Sequence, residues 1–419
     1  MSRTNNLIAR STFRAGATEL EDLPWGQPVE SWHGNCSQLA DLPRGVGRHP
    51  LTFINCTGKL YAIKEMPTGA AFSEYELLEQ IAELRLPVVT PVGAIQLSQE
   101  TGEVSYLVTE YLKRALPYRI LFMSPTLQET RQHLLDAMAS LLVQLHLAGI
   151  FWGDCSLSNT LFRHDAGALQ AYMVDAESAE IHSPHLFPPF RFEDLKLMQR
   201  NLDAEMLELA SAGFVVDSAT IYTTGASIRH RYHLLWDEIT RVETIHPAES
   251  YRINERIRTL NQLGYSIREV ELKPTSSGDR LHLKIIVADR SFHKDQLLDL
   301  TGVEAEERQA RILVNEIQEL RATQSKERNE TIPIEAAAVH WQKIIFQPVL
   351  DRLAPLVKKR RTWRQTGRSS LVSDPIELYC QVLEHKWYLS ERAQQDVGHW
   401  TAVDDYISNF SGDLHNPEP

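Results

Sequence analysis

The alternation of apolar and polar positions reads as two short strands at Leu51–Cys56 and Lys59–Lys64, joined by Thr57-Gly58 as a tight turn. A connection with Pro67 and Gly69 follows, then a helical pattern over Phe72–Leu84. Strand patterns return at Thr90–Leu97 and Val104–Tyr111, separated by the turn-like Ser98–Gly102. This β-β-α-β-β order predicts a small antiparallel sheet carrying one helix. Further on, Leu134, Met138, Leu141 and Leu145 recur at helical spacing, with Thr126 and Glu129 as a capping-box pair and Gly149 as the stop. A polar loop leads into strand-like Thr160–Phe162 and Ala171–Val174, and a helical stretch at Phe192–Ala210 follows a segment broken by Pro184, Pro188 and Pro189. The first 210 residues therefore read as a β-rich lobe, a hinge and an α-rich lobe, with residues 1–24 a loosely ordered lead-in.

Beyond about residue 215 the pattern changes. Arg252–Leu263 is a basic amphipathic helix closed by Gly264, and Ile267–Leu272 with Leu281–Val287 forms a hairpin pattern. Helical patterns then run over 293–322, 333–357 and 375–409. The fold class expected is α+β, with regions 1–24, 25–112, 113–215 and a separate, mostly helical domain over 216–419.

Composition narrows the classes. The chain has 419 residues, enough for two or three domains with cores of their own. A net charge of −12 argues against general affinity for nucleic acid or anionic lipid. Cys36, Cys56, Cys155 and Cys380 show no CxxC spacing, which suits a reducing compartment without a disulfide framework or zinc site. The first 23 residues lack the apolar core of a signal peptide. The most apolar stretch, Leu134–Trp152, is interrupted by Asp136, Gln144 and His146, so no membrane span is expected. Together these features lead to the expectation of a cytoplasmic protein.

The chemistry gathers in the polar loop. Asp154, then Asn159 five positions on, then Asp175 behind an apolar strand, is the spacing that phosphoryl transfer to an alcohol needs. One carboxylate takes the hydroxyl proton, while the amide oxygen and the second carboxylate hold Mg²⁺ on the nucleotide phosphates. A bare D-x-x-x-x-N is common, and the bland reading is a loop whose Asp154 and Asn159 cap turns. Its position between a long apolar helix and a strand pair carries the weight. Upstream, Lys64 ends a strand and could pair with phosphate, although strand-end lysines are mostly solvated edge charges. Glu74 on the following helix is its expected partner, preferred over Glu76 because Leu77 and Leu78 then face inward.

Lys64, Glu74, Val108-Thr109-Glu110-Tyr111-Leu112, Asp154, Asn159 and Asp175 stand in an order that resembles the protein-kinase-like superfamily. The resemblance covers residues 40–210. It is closest to the lipopolysaccharide-kinase and RIO-like branches and to antibiotic phosphotransferases, which carry Gly-Asp as Gly153-Asp154 does here. The whole chain also resembles a bacterial family that joins such a region to an uncharacterised C-terminal domain, whose end Glu377–Ile407, with Leu383–Glu391 in it, resembles. The resemblance implies Asp154 as base, Asn159 and Asp175 as metal ligands, and Lys64 with Glu74 as phosphate clamp. It further implies hinge backbone at Glu110, Tyr111 and Leu112 for adenine, and ATP with Mg²⁺ as cofactors.

The departures from that family are as informative. Gly45 and Gly47 in Arg44–Pro50 supply two glycines, not three, to a phosphate loop, and an ordinary turn is an equal reading. Trp152 replaces a histidine, and Gly153 replaces the arginine that would receive an activation-loop phosphate. Ala176-Glu177 stands where Phe-Gly is usual; Glu177 either helps hold a second metal or is solvated. The basic run Lys358–Arg364, with Trp363, reads as a solvated connector in preference to a nucleic-acid contact. His182 and His185 read as loop histidines, and Cys155 as a small packing residue.

The expected function is an atypical ATP-dependent phosphotransferase. Its acceptor is an unidentified hydroxyl on a small molecule, glycolipid or protein. The alternative is a catalytically silent nucleotide-binding regulator acting through the C-terminal domain.

Overall fold

The computed structural model describes residues 7–27, 29–32, 36–42, 49–99, 102–118, 121, 127–182, 185–213, 218–249, 251–262, 267–275, 280–287, 291–365 and 374–410. The chain divides into two compact units. The first comprises 1–122, 134–162 and 171–232; the second comprises 123–133, 163–170 and 233–419. Two short stretches, 123–133 and 163–170, group with the second unit, and the first extends to residue 232.

In the first unit, strands β1 (Leu7–Phe13), β2 (Leu51–Cys56), β3 (Lys59–Met66), β4 (Pro91–Gln99) and β5 (Gly102–Glu110) form one antiparallel sheet in the order β1-β4-β5-β3-β2. Thr57 and Gly58 both take positive φ, 50° and 86°, as a two-residue hairpin turn between right-twisted strands requires. Gly58 can do this without steric penalty, and Asn55 Oδ1 accepts its amide at 3.0 Å. Over the described residues 7–24, the expected loose lead-in is instead structured. β1 pairs with β4 from Leu7↔Ser98 to Phe13↔Gly93, and Leu20, Leu23, Trp25 and Trp32 are buried in the core on one face of the sheet. Helix α1 (Ala70–Glu83) packs against β4 and β5 through Ala71, Tyr75, Leu78 and Ile81.

The α-rich part of this unit is built on α2 (Leu127–Leu147). Its Leu134, Met138, Leu141 and Leu145 are buried, and Gly149 follows in the left-handed region at φ 83°. The expected capping residues Thr126 and Glu129 lie outside the described side chains. Short β6 (Leu116–Pro117) pairs with β8 (Thr160–Asp165), which neighbours β9 (Ala168–Met173); β7 (Ile150–Phe151) pairs with β10 (Glu180–Ile181). Helix α3 runs over Pro188–Ser211, starting earlier than its hydrophobic pattern suggests. Pro188 and Pro189 do not break it but begin it, since the first helical turn leaves its N–H groups unpaired in any case. Helix α4 (Ser218–Thr240) escapes the sequence pattern, although Ile228, Tyr232, Leu235 and Ile239 bury one face of it.

In the second unit a three-stranded sheet of β11 (Glu243–Ile245), β13 (Leu281–Val287) and β12 (Ile267–Pro274) accompanies α5 (Tyr251–Gln262). Its helices are α6 (Phe292–Thr301), α7 (Glu307–Arg328), α8 (Ile334–Trp341), α9 (Gln347–Gln365), α10 (Pro375–Ala393) and α11 (Gly398–Phe410). Gly302 at φ 71° ends α6 and divides the single pattern expected over 293–322. A wider π-type turn at Gln342–Phe346 interrupts the next one. Leu313, Ile317, Trp341, Phe346, Leu353 and Tyr379 form the core of this helical bundle.

The tip of the β8–β9 hairpin belongs to this unit. Asp165 Oδ1 accepts the amides of Arg308 and Gln309 at 2.8 and 2.9 Å, capping α7. Glu377 accepts Ala166 N at 2.7 Å, Gly167 N at 2.8 Å and Gln309 Nε2 at 2.8 Å. Asp165 and Glu377 are each 1% exposed, and each carboxylate is matched by donors, as burial of a charge demands. No described helix is long and apolar enough to cross a membrane.

Candidate active site

On β3, Tyr61 and Ile63 point into the sheet core, which turns Lys64 to the face that α1 covers. Its Nζ lies 3.0 Å from Glu74 Oε2 and 2.8 Å from Asp175 Oδ2. Glu74 shares the buried stripe of α1 with Ala71, Tyr75 and Leu78 and is 2% exposed, whereas Glu76 is exposed. Its Oε1 also accepts Ala176 N at 3.0 Å, so one carboxylate fixes both the lysine and the residue after Asp175. Burial alone would favour a neutral amine, but Glu74 and then Asp175 outweigh it and hold the Lys64 ammonium above its ordinary pKa. Burial, with Asp175 adding to it, raises Glu74 despite the lysine.

The loop that begins at Trp152 brings Asp154 and Asn159 together. Asn159 Nδ2 donates to the Asp154 carbonyl at 3.0 Å and to Asp154 Oδ2 at 3.2 Å. Both neighbours are acceptors, so the amide nitrogen must face them and Asn159 Oδ1 faces the other way. Ser156 Oγ accepts Asn159 N, and the Asn159 carbonyl accepts Val174 N at 3.1 Å, one residue before Asp175. Trp152 is fully buried, and its indole N–H donates to the Asp175 carbonyl at 3.0 Å, tying the loop to the second acid. Asp175 Oδ1 accepts Glu177 N at 3.1 Å, and the Glu177 side chain lies 3.4 Å from His49 Nε2.

Gly153 meets a demand that no side chain could. Its φ is 77°, and a Cβ there would lie 2.6 Å from the Ser178 carbonyl oxygen. The arginine expected at this position in phosphorylation-controlled kinases has no room on this backbone.

Helix α3 supplies three residues that sequence reasoning did not single out. Asp194, fully buried, accepts Trp152 N at 2.8 Å, Gly153 N at 3.0 Å and one ring nitrogen of His146 at 3.0 Å. The other ring nitrogen of His146 meets the Tyr232 hydroxyl at 2.8 Å. Asn201 Nδ2 donates to Asp154 Oδ1 at 2.9 Å and to the Cys155 carbonyl at 3.2 Å. Glu205 accepts Leu157 N and Ser158 N, both at 2.8 Å. Burial raises the pKa of Glu205 even so. The signal was present as polar residues seven and four positions apart within the buried run of Leu195, Met198, Leu202, Met206 and Leu209.

The other expected positions divide. Gly45 and Gly47 lie outside the described residues. Of the hinge, the Glu110 amide is given to Thr90 O and the Tyr111 amide to Leu60 O, each at 2.9 Å. Cys155 is fully buried, which, with Asp194, Glu205 and Asp154 nearby, pushes its thiol well up and keeps it unreactive. His182 and His185 have separate partners, Glu180 and the Leu147 carbonyl. The side chains of the Lys358–Arg364 run lie outside the described residues.

The donor set suits a hard divalent cation. Asn159 Oδ1 and the Asp175 carboxylate are oxygen donors, the kind that bind Mg²⁺ together with substrate phosphates. Among the described residues no group of three or more His, Cys, Asp or Glu forms a self-contained metal cage.

Residues 55–213 match the lipopolysaccharide kinase (Kdo/WaaP) family, and residues 234–410 match a domain of unknown function (DUF4032). The first of these regions is therefore similar to the lipopolysaccharide-kinase branch of kinase-like proteins; a mostly helical region follows it, and the chain is α+β. Among solved structures, WaaP in complex with acyl carrier protein is similar at 15% identity, over 61% of this chain and 99% of that one, with a TM-score of 0.35. An aminoglycoside-3'-phosphotransferase of type VIII is similar at 16% identity, over 50% of this chain and 90% of that one, with a TM-score of 0.34. No curated protein sequence matched.

Proposed function

We propose that the protein is an ATP-dependent phosphotransferase acting on a hydroxyl acceptor. The observation that carries this reading is Lys64, held between Glu74 at 3.0 Å and Asp175 at 2.8 Å. In the same unit Asp154 and Asn159 are joined by a hydrogen bond. The match of residues 55–213 to a kinase family supports it.

In this reading Lys64 turns from Asp175 to the nucleotide phosphates while Glu74 keeps its position. The Leu112 amide is the hinge donor for adenine, since the Glu110 and Tyr111 amides are already bonded. Asp154 takes the proton of the acceptor hydroxyl as its oxygen forms the bond to the γ-phosphorus and the bond to the β-phosphate oxygen breaks. Asn159 and Asp175 would hold Mg²⁺, which when bound would supply charge neutralisation to the phosphate oxygens. Water or a hydroxyl on a small molecule, glycolipid or protein would meet the same base.

Asp154→Asn tests the assignment. Phosphate release from MgATP should fall by about 10²–10⁴-fold, the range for losing a general base, with MgATP still raising the melting temperature. Undiminished release from the variant would remove Asp154 from its role. The second reading, a nucleotide-binding regulator without turnover, is favoured by Asp175, whose two oxygens are engaged by Lys64 and Glu177. Stabilisation of the wild-type protein by MgATP with no phosphate released would select it.

A further inference from the structure

Asp154 has each of its carboxylate oxygens on a different side-chain amide. Asn159 meets Oδ2 at 3.2 Å from within the loop, and Asn201 meets Oδ1 at 2.9 Å from helix α3. The second proton of the Asn201 amide goes to the Cys155 carbonyl at 3.2 Å. Both neighbours of that nitrogen are acceptors, so an amide turned the other way would set oxygen against oxygen; the orientation is fixed by chemistry. Asn201 is itself fixed. It lies between Asp194, which grips the Trp152 and Gly153 amides, and Glu205, which grips those of Leu157 and Ser158. Three successive parts of the loop are thus bonded to one helix, and the middle bond reaches a side chain, not a backbone amide.

We infer that Asn201 is a positioning residue: it sets the plane of the Asp154 carboxylate and so directs the base at the acceptor hydroxyl. This rests on the phosphotransferase reading above for its consequence, though not for its geometry. A carboxylate held by one amide can rotate about its Cβ–Cγ bond. Held by two on opposite oxygens, it is fixed in one plane. An acceptor hydroxyl must approach within hydrogen-bond distance of a carboxylate oxygen in that plane. The proposed reading gives the nucleotide contacts to Lys64, Leu112, Asn159 and Asp175, so losing Asn201 should disturb the chemical step and leave nucleotide affinity in place.

The test uses the full chain, MgATP, and water as the acceptor, with two variants of matched size. Asn201→Leu removes the amide, and Asn201→Asp keeps the shape but replaces the donor with an acceptor beside Asp154. For both, kcat for phosphate release should fall by about 100-fold, the scale of a small misplacement of a reacting group, with KM for MgATP unchanged. A loss that appears in KM in step with kcat, or unchanged kcat in both variants, would overturn the inference. A crystal structure of Asn201→Leu supplies a readout independent of turnover. The Asp154 carboxylate should rotate from its present plane, and an unrotated carboxylate would likewise overturn the inference. Absence of phosphate release from wild-type protein counts against the phosphotransferase reading, and the rotation of Asp154 then decides this one alone.

Discussion

Two tight segments of this chain are held by the same device and differ in what they hold. In the first unit, Asp194 and Glu205 accept backbone amides of the loop that carries Asp154. In the second, Asp165 and Glu377 accept amides at the start of α7 and at the tip of the β8–β9 hairpin. Each uses carboxylates, buried or half-buried, to satisfy backbone donors of a loop, a turn or a helix start. The α3 grip has a side-chain member, Asn201, aimed at a functional group, whereas the hairpin anchor ends on backbone and on Gln309. A carboxylate on backbone alone fixes shape; an amide on a carboxylate also sets the direction of chemistry.

Substitutions should separate the two. The largest effect is expected for Asp194→Ala, which strands His146 and two loop amides in a dry interior. Removing one member of such a buried charged network costs about 3–5 kcal/mol, so denaturant unfolding should shift strongly and phosphate release should vanish with it. Glu377→Ala leaves the Ala166 and Gly167 amides without their acceptor and should cost about 2–3 kcal/mol in unfolding free energy. Stabilisation by MgATP should survive in that variant; its loss would mean that the hairpin anchor serves the site as directly as α3 does. Gly153→Ala forces a Cβ into the left-handed region and against Ser178, a strain of about 1–3 kcal/mol. Its calorimetric melting temperature should fall, and kcat should fall with it if the Asp154 loop shifts.

The smallest effect is a pH dependence at Glu205. Burial raises its carboxyl in the folded state, so folding favours the protonated form. The resulting stability is fully present below the unfolded value and is lost as pH rises through the higher folded value. The stability difference between wild type and Glu205→Gln should therefore decline over that window and then level off. A difference that stays constant with pH would show that Glu205 carries no such linkage.

What could be read from the sequence follows the range of the interactions. Hairpin β2–β3 was legible because its turn residues and strand pattern are adjacent, and α2 because its apolar period is long. Glu74 over Glu76 was legible because a helix stripe decides which glutamate turns inward. β1 was not, since Leu7–Phe13 mixes polar residues with apolar ones and its partner β4 lies more than 75 residues away. Helix α4 carries polar residues around a narrow buried face, which dilutes its period. Asp194, Asn201 and Glu205 look like surface residues of an amphipathic helix until the loop they bind is folded against them. The partners of the hairpin tip lie up to 211 residues away and leave no local pattern.

That last distance also has a meaning in time. The Ala166 amide is made 211 residues before Glu377, its acceptor. At about 5–20 residues per second on the ribosome, the two are separated by roughly 10–40 s of synthesis. During that interval the strands leading to Asp175 exist while the turn between them still lacks its buried anchor. The hairpin is begun early in the life of the chain and finished near its end.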